Sequence, residues 1–352
     1  MAFTVKTPGF LTTVQDLGRR GFLAWGFPEN GACDKYSLRL ANLLCGNPEP
    51  EAGGGPGFAG LECTVQGPEL EFDTEEVIAL TGADMGPKRN GIPVPMYAPV
   101  RMAPGDRLTF EPARSGFRGY MAFLGGVDVP AVQGSRSTNL QCGMGGYHGR
   151  PLMRGDRLET GPVSPDFKSR WAALAKAEGT GISLEALEEF PLLRMPSAPV
   201  RLVDGARLPV LRAVPGPQQE AFTEEGLELF QREIYRVSVD SGRMGCRLEG
   251  TPVPMRSGAD IVSDGIVEGS VQISGSGLPI VMMADHQTTG GYAKIATVIR
   301  ADLPVLAQLG PGKTLAFRFV SWQEGTAAFR REEEKTAWIR QWLRPRLDRA
   351  GG

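Results

Sequence analysis

The chain has 352 residues and a mass of 37.8 kDa, more than one hydrophobic core usually serves, so two domains are expected. Its 38 basic and 40 acidic side chains leave a net charge of -2, which gives nucleic acid or an acidic membrane no general attraction to it. No apolar run approaches the ~18–20 residues that span a bilayer, and residues 1–6 do not begin a signal peptide, so a cytoplasmic protein with no nucleic-acid or membrane partner is expected.

Glycine and proline, 47 and 28 residues, are dispersed between short apolar segments rather than gathered in low-complexity tracts. Turns punctuate a β-rich fold in this way. In chain order, Asp34 is placed to cap a helix through Tyr36, Leu40 and Leu44, with Gly46 placed to end it. Period-2 alternation then predicts half-buried strands at Leu70–Phe72, Glu76–Leu80, Arg107–Phe110 and Tyr120–Leu124. Turn signals separate them at Gly67-Pro68, Asn90-Gly91, Pro104-Gly105-Asp106 and Gly125-Gly126. A short helix is predicted over Phe167–Ala177, inside a proline-bearing stretch from Gly161 to Pro199 where the domain boundary is placed. Thr223 is placed as the N-cap of another helix, with Glu224 and Glu225 in its first turn and Phe222 and Leu227 at staple spacing. Pro279–Ala284 reads as a buried strand and Leu315–Val320 as an alternating one after the Pro311-Gly312 turn. The stretch from about Gly325 to Leu347 is charged and helical, with Trp338, Ile339, Trp342 and Leu343 at packing intervals until Pro345. The predicted division is 1–199, 200–321 and a tail, 322–352. Pro104–Phe110 and Pro311–Phe317 echo one another as a turn feeding a strand, a hint of two related halves.

Several familiar motifs fail on their context. Ala307–Thr314 nearly spells a phosphate-binding P-loop, but Ala307 stands where glycine is needed and Thr314 leads into a strand pattern. Gly55–Gly60 matches G-x-G-x-x-G with the helix and strand in the reverse order. His148 and His286 are too few and too far apart for a histidine metal centre, so no metal is expected. There is no G-x-S-x-G. Cys33, Cys45, Cys63, Cys142 and Cys246 are odd in number and widely spaced, and are expected as reduced thiols, mostly buried.

The densest set of chemically capable side chains is Asp285-His286-Gln287-Thr288-Thr289-Gly290-Gly291-Tyr292-Ala293-Lys294, delivered by the apolar strand before it. Such a turn can surround a small polar ligand with donors and acceptors, or it can bond to its own backbone. Three further segments set an arginine beside hydroxyls or glycine: Thr12–Arg19, Gly134-Ser135-Arg136-Ser137-Thr138 and Ser241–Leu248 with Arg243. An arginine in this setting suits carboxylate recognition or the holding of loop carbonyls.

These segments, with Gly31-Ala32-Cys33-Asp34, Pro215-Gly216-Pro217-Gln218 and Arg243-Met244-Gly245, resemble the biotin-dependent carboxyltransferase family, also called allophanate hydrolase subunit 2. The likeness runs from about Phe3 to Val320 and is greatest to the branch made up of the C-type subunits of 5-oxoprolinase. It implies a mainly β fold of two cyclophilin-like β-barrel domains with a few short helices. A heteromeric complex with a B-type partner protein (allophanate hydrolase subunit 1-like) is also implied, together with an A-type partner protein. The activity implied is ATP-dependent opening of the 5-oxoproline lactam to glutamate, with the chain inactive by itself. Two alternatives stand beside it: a urea-carboxylase-like carboxyltransferase, which would need biotin, and a regulator that binds a sporulation kinase inhibitor. No Met-Lys-Met sequence of the kind that carries covalent biotin is present, and no convincing ATP site, so no cofactor is expected in this chain and ATP is assigned to the complex.

Within that family reading, Gln287 and the amides of Gly290 and Gly291 would hold a carbonyl oxygen. Tyr292, Lys294 or His286 would handle the proton, with burial drawing the lysine toward neutrality. Arg136 and Arg243 would bind a substrate carboxylate, and Thr138, Thr288, Thr289, Gln15 and Asp16 would line the substrate site. The sequence departs from the family wording at Cys33, Ala293 and Tyr147-His148, and residues 53–60 look like an insert.

Overall fold

The computed structural model describes residues 2–50, 57–176, 198–203 and 205–349. Most of the expected linker, the first part of the 53–60 insert, and Ala177 at the end of the short predicted helix fall outside them, as do the side chains of Trp342 and Leu343. Two compact units divide the chain. One comprises Met1–Arg20, Asn30–Met195 and Lys335–Gly352, and the other Gly21–Glu29 and Pro196–Glu334.

The first unit is built on two antiparallel sheets. One runs Val127–Asp128, Arg157–Thr160, Phe3–Thr7, Glu69–Phe72, Arg107–Thr109, Lys88–Arg89 and Ile92–Pro93; the other runs Leu11–Gln15, Gly60–Thr64, Ser115–Phe123, Glu76–Asp84 and Pro99–Met102. Phe3 stacks on Phe123 at 4.6 Å between ring centroids, and Phe72, Leu61, Met102 and Leu108 fill the same core. Asn90-Gly91 makes the tight hairpin between Lys88–Arg89 and Ile92–Pro93. Both residues have positive φ, 51° and 82°, as a two-residue turn of the right twist requires.

The helix Lys35–Cys45 begins and ends where its caps predict. The Asp34 carboxylate accepts from the Ser37 amide at 2.8 Å, and Gly46 closes the helix at φ 87°. Tyr36, Leu40, Ala41 and Leu44 lie against Ala79 and Ala122. This contact corrects the reading of the two central strands as half-buried. Residues 76–81 and 118–123 are buried on both faces, because the helix covers the face that alternation assigns to solvent. The second of these strands also starts five residues earlier than expected, at Ser115; Gly116, Arg118 and Gly119 break its pattern.

In the second unit seven strands close on themselves: Ala206–Pro215, Lys294–Val298, Ser270–Ile273, Pro279–Met282, Gly245–Glu249, Tyr235–Val237 and Thr314–Phe319. Closure comes from parallel pairing of the last strand with the first, Val210 opposite Ala316 through Ala213 opposite Phe319. A closed barrel leaves no open sheet edge. Phe230 stacks on Phe317 at 4.5 Å in its core, with Tyr235 beside them. Phe230 is delivered by the helix Glu224–Arg232, whose cap is Thr223 as expected. Asp260–Gly265 and Thr289–Tyr292 pair only with each other in the sheet topology, as a two-stranded ribbon outside the barrel sheet.

The fold is therefore mainly β with few helices, as expected. One helix is not short: Trp322–Arg349 runs 28 residues and continues through Pro345. Proline removes one backbone donor there, but the helix formers on both sides carry the helix past it. Gly105 and Gly312, the turn glycines of the two echoing segments, share the left-handed conformation at φ 86° and 81°. Each precedes a strand whose leucine, Leu108 or Leu315, is fully buried.

Candidate functional site

The loop after strand Pro279–Met282 is fixed by a buried ion pair. Arg243 donates to both oxygens of Asp285, Nε to Oδ2 at 2.8 Å and Nη2 to Oδ1 at 2.9 Å. The Asp285 amide returns a bond to the Arg243 carbonyl at 2.8 Å, and the Met283 amide bonds the Met244 carbonyl at 3.0 Å. The fork expected to grip a substrate carboxylate grips a carboxylate of the same chain, so Arg243 ties two loops together. His286 is buried, with Nδ1 2.7 Å from the Gln287 carbonyl. A carbonyl only accepts, so Nδ1 is the donor of this bond.

Beyond His286 the chain comes to the surface. Gln287 and Thr289 are exposed, Thr288, Gly290 and Gly291 are half-buried, and Tyr292 is exposed. Gly290 sits where a Cβ would stand 2.5 Å from Ile266 Cδ1 and 2.8 Å from Gln272 Nε2. Gln272 Nε2 donates to the Tyr292 carbonyl at 3.3 Å, and the Ile266 amide to the Thr288 carbonyl at 2.9 Å. Lys294 turns inward, its Nζ 2.6 Å from Asp264 Oδ2 and 3.0 Å from the Gly265 carbonyl. The bond from Lys294, with those from the Gly265 amide and Gln218, holds the Asp264 carboxyl below its ordinary range.

In the first unit, three of the four predicted residues look inward. Asp16 is fully buried and accepts from the Gly18 amide at 2.8 Å, Ser135 Oγ at 2.8 Å, the Arg136 amide at 2.5 Å and Ser137 Oγ. Thr138 Oγ1 donates to the Val14 carbonyl at 2.9 Å, while Gln15 Nε2 bonds Thr13 Oγ1 at 3.0 Å and the Thr138 carbonyl at 3.2 Å. These bonds shape the 134–138 loop. Arg136 is the exception: its backbone is pinned by Asp16 and its Nε by the Val129 carbonyl at 2.9 Å, yet 38% of the side chain is exposed. Its guanidinium stands beside Asp128, with Nη2 4.0 Å from Oδ1.

Asp264, Gly265 and Gln218, the partners of Lys294, were not identified from sequence as site residues. Gln218 stood in a motif without a role, and Asp264-Gly265 has the wording of an ordinary turn. A buried network in the first unit was missed in the same way: Tyr120 donates to Glu62 Oε2 at 2.7 Å and accepts from the Asp34 amide at 2.8 Å, and the Cys33 amide donates to the same Glu62 oxygen at 2.8 Å. Its signal was a glutamate inside an apolar strand. The P-loop lookalike forms a turn: Lys313 N–H reaches the Gly310 carbonyl at 3.1 Å and Thr314 opens a strand, so no helix N-terminus faces a phosphate.

Residues 25–319 match the family described as carboxyltransferase domain, subdomain A and B. The chain is 36% identical over 333 residues to the C-type subunit of 5-oxoprolinase from Escherichia coli K12, covering 94% of this chain and 96% of that one. It is 34% identical to the C-type subunit of 5-oxoprolinase from Haemophilus influenzae, covering 92% of each. The crystal structure of the Kluyveromyces lactis urea carboxylase contains a similar fold, with a TM-score of 0.78 at 28% identity. That match takes in 96% of this chain but only 29% of the longer one. On this whole-length match the chain belongs to the carboxyltransferase domain family, subdomains A and B.

Proposed function

We propose that the chain is the C-type subunit of a heteromeric, ATP-dependent 5-oxoprolinase, which opens the 5-oxoproline lactam to glutamate together with B-type and A-type partner proteins. The observation that carries this reading is coverage in both directions. The two 5-oxoprolinase relatives match this chain over more than nine tenths of each sequence, whereas in the urea carboxylase the same fold is under a third of one long polypeptide.

The second unit supplies groups suited to an amide carbonyl. Gln287 and the Gly290 and Gly291 amides would hold the oxygen, and the exposed Tyr292 phenol would deliver a proton to the lactam nitrogen. Thr288 and Thr289 flank them, and His286 backs the loop from beneath. Taken by itself, the first unit offers Arg136, a part-exposed guanidinium of the kind that binds a carboxylate. ATP chemistry is assigned to the partners.

The test is 5-oxoproline-dependent phosphate release by the reconstituted complex. Tyr292→Phe should lower kcat by about 100-fold if the phenol moves the proton. Near-normal turnover would remove Tyr292 from that role, and phosphate release by this chain alone would contradict the dependence on partners. The carboxyltransferase alternative predicts a streptavidin-reactive band in the native complex and activity on urea.

A further inference from the structure

We propose that Lys294, Asp264 and Gln218 form a clasp that positions the ribbon Thr289–Tyr292 for substrate, with Lys294 a positioning residue and not a proton carrier. This rests on the function proposed above for its kinetic readout, though not for its structural one.

The bonds form a closed ring. Lys294 Nζ reaches Asp264 Oδ2 at 2.6 Å and the Gly265 carbonyl at 3.0 Å. Gln218 Nε2 reaches the same Asp264 oxygen at 3.2 Å, and Gln218 Oε1 accepts the Lys294 backbone N–H at 3.2 Å. One glutamine amide thus joins both ends of the ion pair. The Lys294 side chain is only 4% exposed, while that of Asp264 is 51% exposed, so the ammonium is enclosed under a carboxylate that closes over it from the surface. With Nζ committed to a carboxylate and a carbonyl, the Lys294 side chain is held inside the chain instead of being presented to a substrate.

Position in the chain gives the clasp its purpose. Lys294 is the first residue of the barrel strand Lys294–Val298, two residues after Tyr292. Asp264 and Gly265 lie on the opposite strand of the ribbon, paired with Gly290 and Thr289. A two-stranded ribbon is marginal by itself, and the register of this one shifts between Asp260 and Asp264. The clasp therefore ties the far strand to the barrel at the level of Gly290, whose amide is assigned to the substrate carbonyl. The loop carrying Gln218 is seated just as closely: a Cβ on Gly216 would stand 2.1 Å from the Lys294 carbonyl oxygen.

The experiment compares Lys294→Met, Asp264→Asn and the double variant in the reconstituted complex. Hydrogen exchange of residues 289–292 is measured alongside in the full chain alone. Because the clasp acts through position, each single variant should raise KM about 10-fold with a smaller change in kcat. The double variant should be no worse than either single one, since both remove the same interaction. The pH profile of kcat/KM should keep both limbs. Exchange at residues 289–292 should be about 10-fold faster in either single variant. A loss of kcat with a vanished pH limb in Lys294→Met alone would overturn the proposal, as would multiplicative losses or unchanged exchange. If wild-type complex fails to turn over 5-oxoproline, the proposed function falls while the exchange measurement still decides the clasp.

Discussion

Tyr120 shows how much one hydroxyl can hold. It donates to the buried Glu62 carboxylate and accepts the amide of Asp34, the residue that caps helix Lys35–Cys45. Burial, and then the neighbouring Glu62, push its phenol well above the ordinary range, so it stays a neutral donor. Tyr120→Phe should cost about 1–3 kcal/mol, read as a lower denaturant midpoint with an unchanged m-value; no loss would mean the network is not structural. The thiols give a pH test. Burial pushes Cys63 up to about 12 and Cys45 well above the ordinary value, whereas Cys142 is exposed. A folded-state value raised above the unfolded one stabilises the fold in full below the unfolded value, near 9, and that stabilisation is lost as pH climbs toward 12. Denaturant midpoints should therefore decline from about pH 9 upward, and Cys63→Ser should flatten that decline. In the native chain a thiol reagent should modify Cys142 first; fast labelling of Cys63 would contradict its burial.

At the scale of elements, sequence legibility follows the range of the interaction. Asp34 and Gly46 announce the helix between them, and Asn90-Gly91 its hairpin, because a cap or a tight turn is written within four residues. The site was half legible for the same reason. The cluster 285–294 stood out locally. The pairing of Arg243 with Asp285, 42 residues away, and of Lys294 with Asp264, 30 away, leaves no local trace, and it engages both cations with carboxylates of the same chain. Likewise, nothing within the strands at 76–84 and 115–123 says that a helix covers their outer face. Gly216→Ala tests the element packing directly. Its Cβ would meet the Lys294 backbone, which cannot swing aside, so it should cost about 1–3 kcal/mol. Gly290→Ala meets the ends of the Ile266, Gln272 and Gln287 side chains, with no backbone atom among its three nearest neighbours, and should cost less. Thermal unfolding of the two variants checks the ranking, and the reverse order would contradict the close seating of the 215–218 loop.

On the scale of the whole molecule, dispersed glycine and proline between short apolar runs pointed to a β-rich architecture, and the strands, one set of them closed into a barrel, follow that pattern. Closure itself was not readable, since it depends on strands about a hundred residues apart coming into parallel register, Val210 opposite Ala316. Among the described residues no helix is long and apolar enough to cross a membrane. The function proposed for the chain is read only through the family resemblance, because under that proposal the partners supply the ATP chemistry and this chain need carry no nucleotide motif of its own. The most direct measurement is 5-oxoproline-dependent phosphate release by the B-type and A-type partners with and without this chain. Turnover to glutamate should appear only when all three are present. Equal rates without the chain, or turnover of urea in place of 5-oxoproline, would contradict its place as a required 5-oxoprolinase component.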